Sequence, residues 1–512
     1  MSSPRPRRSS AVALVSVIVA ALAVLAGTTA AASARGAATS VRAAASQITI
    51  ALPSAVPAFD PQKYDRIYLR AVTDNIYEPL LARDSTGALY PLLAAAMPKQ
   101  LNPTTWQFKI RKGIKFTNGE PMDARAAAYS IGRIANPAFN SELLSLVDSI
   151  KTVHVVDKYT LNVVTKTPDV LLPARMPVIK ILPPVYSKTS QFLRKPAGTG
   201  PYLYVSGAGL GPIVLKRNPN YWGKQTATIQ TIRIRAIPDL STRISALKAG
   251  EVNLVTVLPP DSAKSVPKVA TAVGFENPTV VLNTGFGITK DARVRKALNL
   301  AIDKNAIANS LFAGFAAVSK CQPLSPSSFG YDASLKPYAY DPNQAKSLLK
   351  AAGADGKTVT LISSDVFTNG PQLAQVIASF WTAVGLKVNM QIPQFNDYLK
   401  DLFAKGADHP DAVYVSTSSD LLDASSASRQ LTSDGVQSAY TNPAVDKLFT
   451  QAAATADPAK RKDLYATALK TSCNDAALID LINPKDIYGT SKNLQWTPRY
   501  DGSLLYATMK LK

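Results

Sequence analysis

The chain has few of the side chains that metal binding and nucleophilic catalysis most often need. It holds two histidines and two cysteines in 512 residues. There is no CxxC, no HExxH and no Cys/His cluster, so a zinc site or multi-histidine metal centre lacks ligands. Neither histidine is set up as a base: His154 alternates with Val153 and Val155 in a strand pattern, and His409 precedes Pro410 in a loop. Beyond the N-terminal region there is no second long apolar run and no low-complexity tract, so the rest reads as soluble and globular. No cofactor is called for. Blocks of basic residues are absent too. Lys and Arg outnumber Asp and Glu by 57 to 35, a net charge of +22, but they are dispersed. That argues for a solvated face that can steer anionic ligands and against a nucleic-acid-binding arm.

The first residues carry an export signal. Arg5, Arg7 and Arg8 form a positive start, Ala11 to Ala26 is apolar apart from Ser16, and Ala32-Ser33-Ala34 offers a cleavage site of the A-x-A kind. Residues 1–45 are therefore expected to be a signal peptide and linker, with an uncleaved membrane anchor as the alternative. The residues after Arg7-Arg8 fit a twin-arginine signal poorly, which favours the general secretory route. In an exported chain the even pair Cys321 and Cys473 suggests a disulfide, the alternative being two buried thiols.

The remaining length is enough for two or three cores, and strands and helices alternate in an α/β manner. Gln47 to Leu52 reads as a strand and Ile67 to Leu81 has helical spacing. Trp106, Phe108 and Ile110 alternate with polar residues and lead to an Asn118-Gly119 turn, the signature of a hairpin. Further hairpins are expected at 152–156 with 160–165 and at 202–205 with 213–217. Asp291 to Asp303 carries the stripe of a core-facing helix. Asp341-Pro342, Asn442-Pro443 and Asp457-Pro458 each join a cap to a proline at a first helical turn.

Signals for enzymes are thin. Ser347 to Lys350 spells S-x-x-K, but within an amphipathic helix and with no K-T-G downstream. The glycines of 207–211 connect two strands instead of opening a helix, so they do not form a phosphate cradle. A secreted hydrolase would need a nucleophile and base that are not displayed.

Several segments, in order, are similar to those of the family-five extracellular solute-binding proteins of ABC importers, the oligopeptide, dipeptide and nickel group. They are FDP (59–61), IYEPLL (76–81), WQFKIRKGIKFTNGEP (106–121), GTGPY (198–202), RNPNYWG (217–223), ALKAGEVN (246–253), VRKALNLAID (294–303) and YDPNQAKSLLKAAG (340–353). Each is short, but together they span nearly the whole mature chain. The resemblance implies the two-lobe periplasmic-binding-protein fold of type II, with an extra subdomain on lobe one and a hinge between lobes. Lobe one is expected at 46–282, its subdomain at about 82–184, lobe two at 283–479, and a return to lobe one at 480–512.

The implied role is capture of an oligopeptide-like solute by lobe closure and delivery to ABC permease subunits. The protein would act as a periplasmic or cell-envelope monomer, associating with the membrane only through the permease and without enzyme activity. No cysteine lies near the end of the signal to carry the usual lipid anchor. Peptide binders of the family hold the ligand's amino group with an aspartate, and Asp420 stands at that position, where a carboxylate would make a charge-assisted hydrogen bond. The aromatic expected before it is replaced by Ser416, Thr417, Ser418 and Ser419. This keeps other cargo open: an oligosaccharide, a metal chelate or a cationic metabolite. Tyr64, Asp65 and Arg66 fall in an extended ligand-facing segment, and Asn283 follows the presumed crossover strand; each could equally be an ordinary loop or strand-end residue.

Overall fold

The computed structural model describes residues 47–512 except Leu210, Phe275, Thr368 and Asp420. The expected signal segment and Asp420 thus lie outside the described residues. Two sheets organise the chain as a two-lobe α/β fold. The first runs in the order 268–273, 482–490, 254–255, 47–52, 231–236, 213–217 and 202–206, and strand 316–318 also pairs with 482–490. Its central strand, Gln47–Leu52, lies parallel to Thr231–Ala236, with Ile48 and Ile50 fully buried. The second sheet runs in the order 387–391, 358–362, 412–418, 276–282 and 478–480. The chain passes directly from one sheet to the other between Val273 and Glu276 and between Asp480 and Ile482, and strand 316–318 reaches across from the second lobe to the first sheet.

Strand pairing moves one expected boundary. Residues 276–282 were expected in lobe one, yet Glu276–Leu282 pairs along its length with Ala412–Ser418 in the second sheet. The cause is the apolar run Val280, Val281 and Leu282, which is fully buried in the cores of that sheet. A third sheet, ordered 99–102, 105–109, 160–165 and 150–157, has its own core around Phe108, Ile131, Leu161 and Val163 and falls within the stretch expected to be the subdomain.

Short-range chemistry explains the element ends. Asp341, Asn442 and Asp457 each accept a backbone N–H two or three residues on, at 2.8, 3.0 and 3.0 Å, and each is followed by proline at the first turn. These caps satisfy donors that the helix itself leaves open. The helix expected at 291–303 stops at Leu300, and a second begins at Lys304, because the Asp303 carboxylate accepts Ala306 N–H at 2.9 Å and caps a new helix. The helix expected over 67–81 ends at Thr73. There Asn75 turns its side chain to the C-terminal segment, donating to Leu504 O at 2.8 Å and accepting from Tyr506 N at 2.8 Å. Strand Thr105–Lys109 pairs with 99–102 and 160–165, and the Asn118-Gly119 turn closes only one isolated bridge, Lys115 to Pro121.

Two of the sequence motifs meet in space. A Cβ at Gly198 would stand 2.0 Å from Ile76 O, and one at Gly200 would stand 2.5 Å from Asn75 O. GTGPY thus needs glycine because the IYEPLL backbone lies against it. Cys321 and Cys473 form a disulfide with Cα atoms 5.7 Å apart. No helix among the described residues is long and apolar enough to cross a membrane.

Candidate ligand-binding site

Two cavities lie where the lobes face each other. One, of about 340 Å³, sits beside the crossings. Leu52, Pro53 and Tyr68 line it from lobe one, Phe312, Asn369 and Ser416 from lobe two, and Glu276 and Asp486 from the crossing strands. Burial, reinforced by the negative charge of Glu276, pushes the Asp486 carboxyl up to about 7. The other cavity, of about 280 Å³, lies between lobe one, the subdomain and the loop that follows strand 412–418, from which Ser419 and Leu422 reach it.

This second cavity carries charge of both signs, most of it held by partners. Asp74 receives Lys180 Nζ at 2.9 Å and Arg70 Nε at 3.8 Å. Arg499 forks onto Asp501, Nε to Oδ1 at 3.0 Å and Nη2 to Oδ2 at 2.6 Å. Burial pushes the Asp501 carboxyl up, but the hydrogen bonds and charge of Arg499 outweigh it and bring the carboxyl below its ordinary value. Glu78 is 4% exposed and accepts from Tyr221 Oη at 2.6 Å and Trp222 Nε1 at 2.7 Å. Its burial raises the carboxyl's pKa, against the lowering effect of those two donors.

The expected site residues divide. Tyr64 and Asp65 line the smaller cavity. Arg66 is not among its lining residues and pairs on the surface with Glu142, Nη2 to Oε1 at 2.6 Å. Asn283 lines neither cavity: its amide donates to Gly406 O at 2.9 Å and His409 O at 2.8 Å, and its oxygen accepts from Gly285 and Phe286 N–H, both at 3.1 Å. Those four bonds give it a structural task, shaping the loop after strand 276–282. Ser419, the sequence neighbour of Asp420, lines the smaller cavity. Glu78, Arg83, Leu422, Arg499 and Asp486 were not foreseen. Glu78 stands inside the IYEPLL motif, where a carboxylate among apolar residues is the one available signal. Among the described residues, no group of three or more His, Cys, Asp or Glu side chains is placed to hold a metal ion.

The profile of bacterial extracellular solute-binding proteins, family 5 Middle, matches residues 88–439. The chain belongs to this family. This family-five protein is 27% identical over 466 residues to the glutathione-binding protein GsiB of Pectobacterium atrosepticum, covering 87% of this chain and 90% of that one. HbpA2 from Haemophilus parasuis superposes with a TM-score of 0.82 at 21% identity, over 91% of this chain and 100% of that one. The periplasmic binding protein DppA from Helicobacter pylori, in complex with the peptide STSA, gives a TM-score of 0.71 at 24% identity, over 91% and 98%. In this family-five fold both cavities are lined by residues from the two lobes.

Proposed function

We propose that this family-five protein is the extracytoplasmic binding component of an ABC importer, and that it captures a short peptide by closing its lobes and hands it on chemically intact. The observation that carries this reading is the cavity that both lobes line, with Arg70, Lys180 and Arg499 set among Asp65, Asp74, Glu78 and Asp501. A short peptide is a zwitterion, and both its ends would find opposite charge there. The glutathione-binding relative supports a tripeptide-sized solute, as does the peptide held by the Helicobacter protein. Asp420 is the proposed anchor for the amino group, with Tyr64 and Asp65 as neighbours on lobe one. Closure turns the contacts made to the solute into the free energy that favours the closed population. The proposed role is binding alone, and the protein is expected to work outside the cytoplasm as a monomer, meeting the membrane through its permease.

A second reading, cargo other than peptide, rests on Ser416, Thr417, Ser418 and Ser419 standing where an aromatic is expected. Titration calorimetry separates the two. Glutathione or tri- to pentapeptides should bind with micromolar or tighter affinity, and Asp420→Ala should weaken them at least tenfold. Binding of an oligosaccharide or metal chelate with no response to the peptides would replace the peptide reading with the second.

A further inference from the structure

The cavity beside the crossings shares no lining residue with the charged cavity that carries the peptide reading. Helix Ile67–Thr73 stands between the two: Ile67, Tyr68 and Ala71 line the first, Arg70 and Thr73 the second. The polar lining of the first is weighted to acceptors. Glu276 opens the strand that enters lobe two, and Asp486 lies in the strand that returns to lobe one. Ser416 Oγ donates to Glu276 Oε2 at 3.2 Å. Burial and the like charge of Glu276 both work against ionisation of Asp486, and no cation among the described residues offsets them.

Two neighbouring residues of the same lining are unusual. Thr256 is 6% exposed, and its hydroxyl has no hydrogen-bond partner among the described residues. Its N–H donates to Ala51 O at 3.3 Å and the N–H of Leu258 to Ile487 O at 3.0 Å. Val257, between those two bonds, is held at φ 54°. A β-branched residue keeps that conformation only where its surroundings impose it, and such strain gathers at ligand clamps. Lys485, the one cation among the lining residues, is exposed. Successive side chains of a strand point to opposite faces, which turns it away from Asp486.

We propose that this cavity binds an organic cation, an alkylammonium or guanidinium group, between Glu276 and Asp486, with its apolar stem against Leu52, Phe312 and Leu504. The two carboxylates accept its N–H donors in charge-assisted bonds, and Thr256 Oγ1 supplies a third acceptor. Aromatic rings in the lining, Tyr68 and Phe312, favour positive charge as well. Two carboxylates and a hydroxyl fall short of the about six to eight oxygens that a calcium ion takes, so the acceptor set suits an organic cation better than a metal. Either a free amine or the side chain of a lysine or arginine in a peptide cargo presents the required group.

Titration calorimetry of the whole mature protein at pH 8 separates the two sources. Cadaverine and agmatine are the free probes; Ala-Lys-Ala and Ala-Arg-Ala, set against Ala-Met-Ala, are the peptide probes. Binding of a free probe, weakened at least about tenfold by Asp486→Asn and by Glu276→Gln, supports a site for amines. A preference of at least about tenfold for the basic peptides over Ala-Met-Ala, lost in the same variants, supports a side-chain pocket. Both substitutions keep the side-chain size and remove only charge, and thermal melts check that each variant folds; either variant alone decides. No binding of the free probes together with no preference for the basic peptides overturns the proposal, and so does binding that the variants retain in full. The peptide reading fails separately: glutathione bound with no response to amines or basic side chains sinks this site alone, whereas cadaverine bound with no response to glutathione or any peptide sinks that reading alone.

Discussion

The hydroxyl of Thr279, on the strand that leaves the first crossing, donates to the carboxylate of Asp480, at the start of the second, at 3.2 Å. Lys304, itself buried, places its positive charge close enough to lower the Asp480 carboxyl against the rise that burial causes. The two crossings are thus tied at a buried polar point. Thr279→Val removes that donor without changing side-chain volume much, and should cost about 1–2 kcal/mol of stability, read from chemical denaturation. A change below about 0.3 kcal/mol would mean the bond contributes nothing to the hinge.

Asp486 sets a pH dependence of definite sign. Its folded pKa, about 7, stands above the unfolded carboxylate value. The folded state therefore holds the extra proton between pH 4 and 7, and stability is lost as pH rises through that window. Asp486→Asn should match wild type near pH 4 and exceed it at pH 8 by on the order of 2 kcal/mol, with Asp486's partial exposure taken into account. Thermal melts at the two pH values give the difference.

The Cys321–Cys473 bridge closes a loop of 152 residues. On the chain-entropy account it should stabilise lobe two by about 3–5 kcal/mol. Reduction, or the double change to serine, should lower the melting temperature by several degrees while leaving the secondary structure seen by circular dichroism in place.

Arg461→Met would leave Asp423 buried at 3% exposure without its ion-pair partner. Loss of one partner from a buried pair costs about 3–5 kcal/mol. Changing Asp423 to Asn as well should recover part of that loss, which a double-mutant cycle measures.

Local signals were the most legible part of the sequence. The strand 47–52, the hairpin strands near 202 and 213, and the proline-started helices at 342, 443 and 458 all form where alternation or capping chemistry placed them. What misled was periodicity that continued across a break. The stripe from 291 to 303 conceals the new cap at Asp303, and the apolar spacing of 67–81 conceals Asn75, which bonds Leu504 O and Tyr506 N more than 400 residues away. The strand 276–282 went to the second sheet because register is decided by pairing partners distant in sequence. In the site, Tyr64 and Asp65 were within reach of motif reasoning. Arg83 reaches Leu421 O, Arg499 reaches Arg83 O and Asp486 is buried near Glu276, all partners far away in sequence, and no local pattern marks them.

Native mass spectrometry of the mature protein, incubated with a mixed pool of di- to pentapeptides, oligosaccharides and nickel chelates, tests the central claim most directly. The account predicts that intact peptides are retained at one per chain and released unchanged on denaturation, with retention weakened by Asp420→Ala. Retention of another class alone, or peptides returned cleaved, would contradict it.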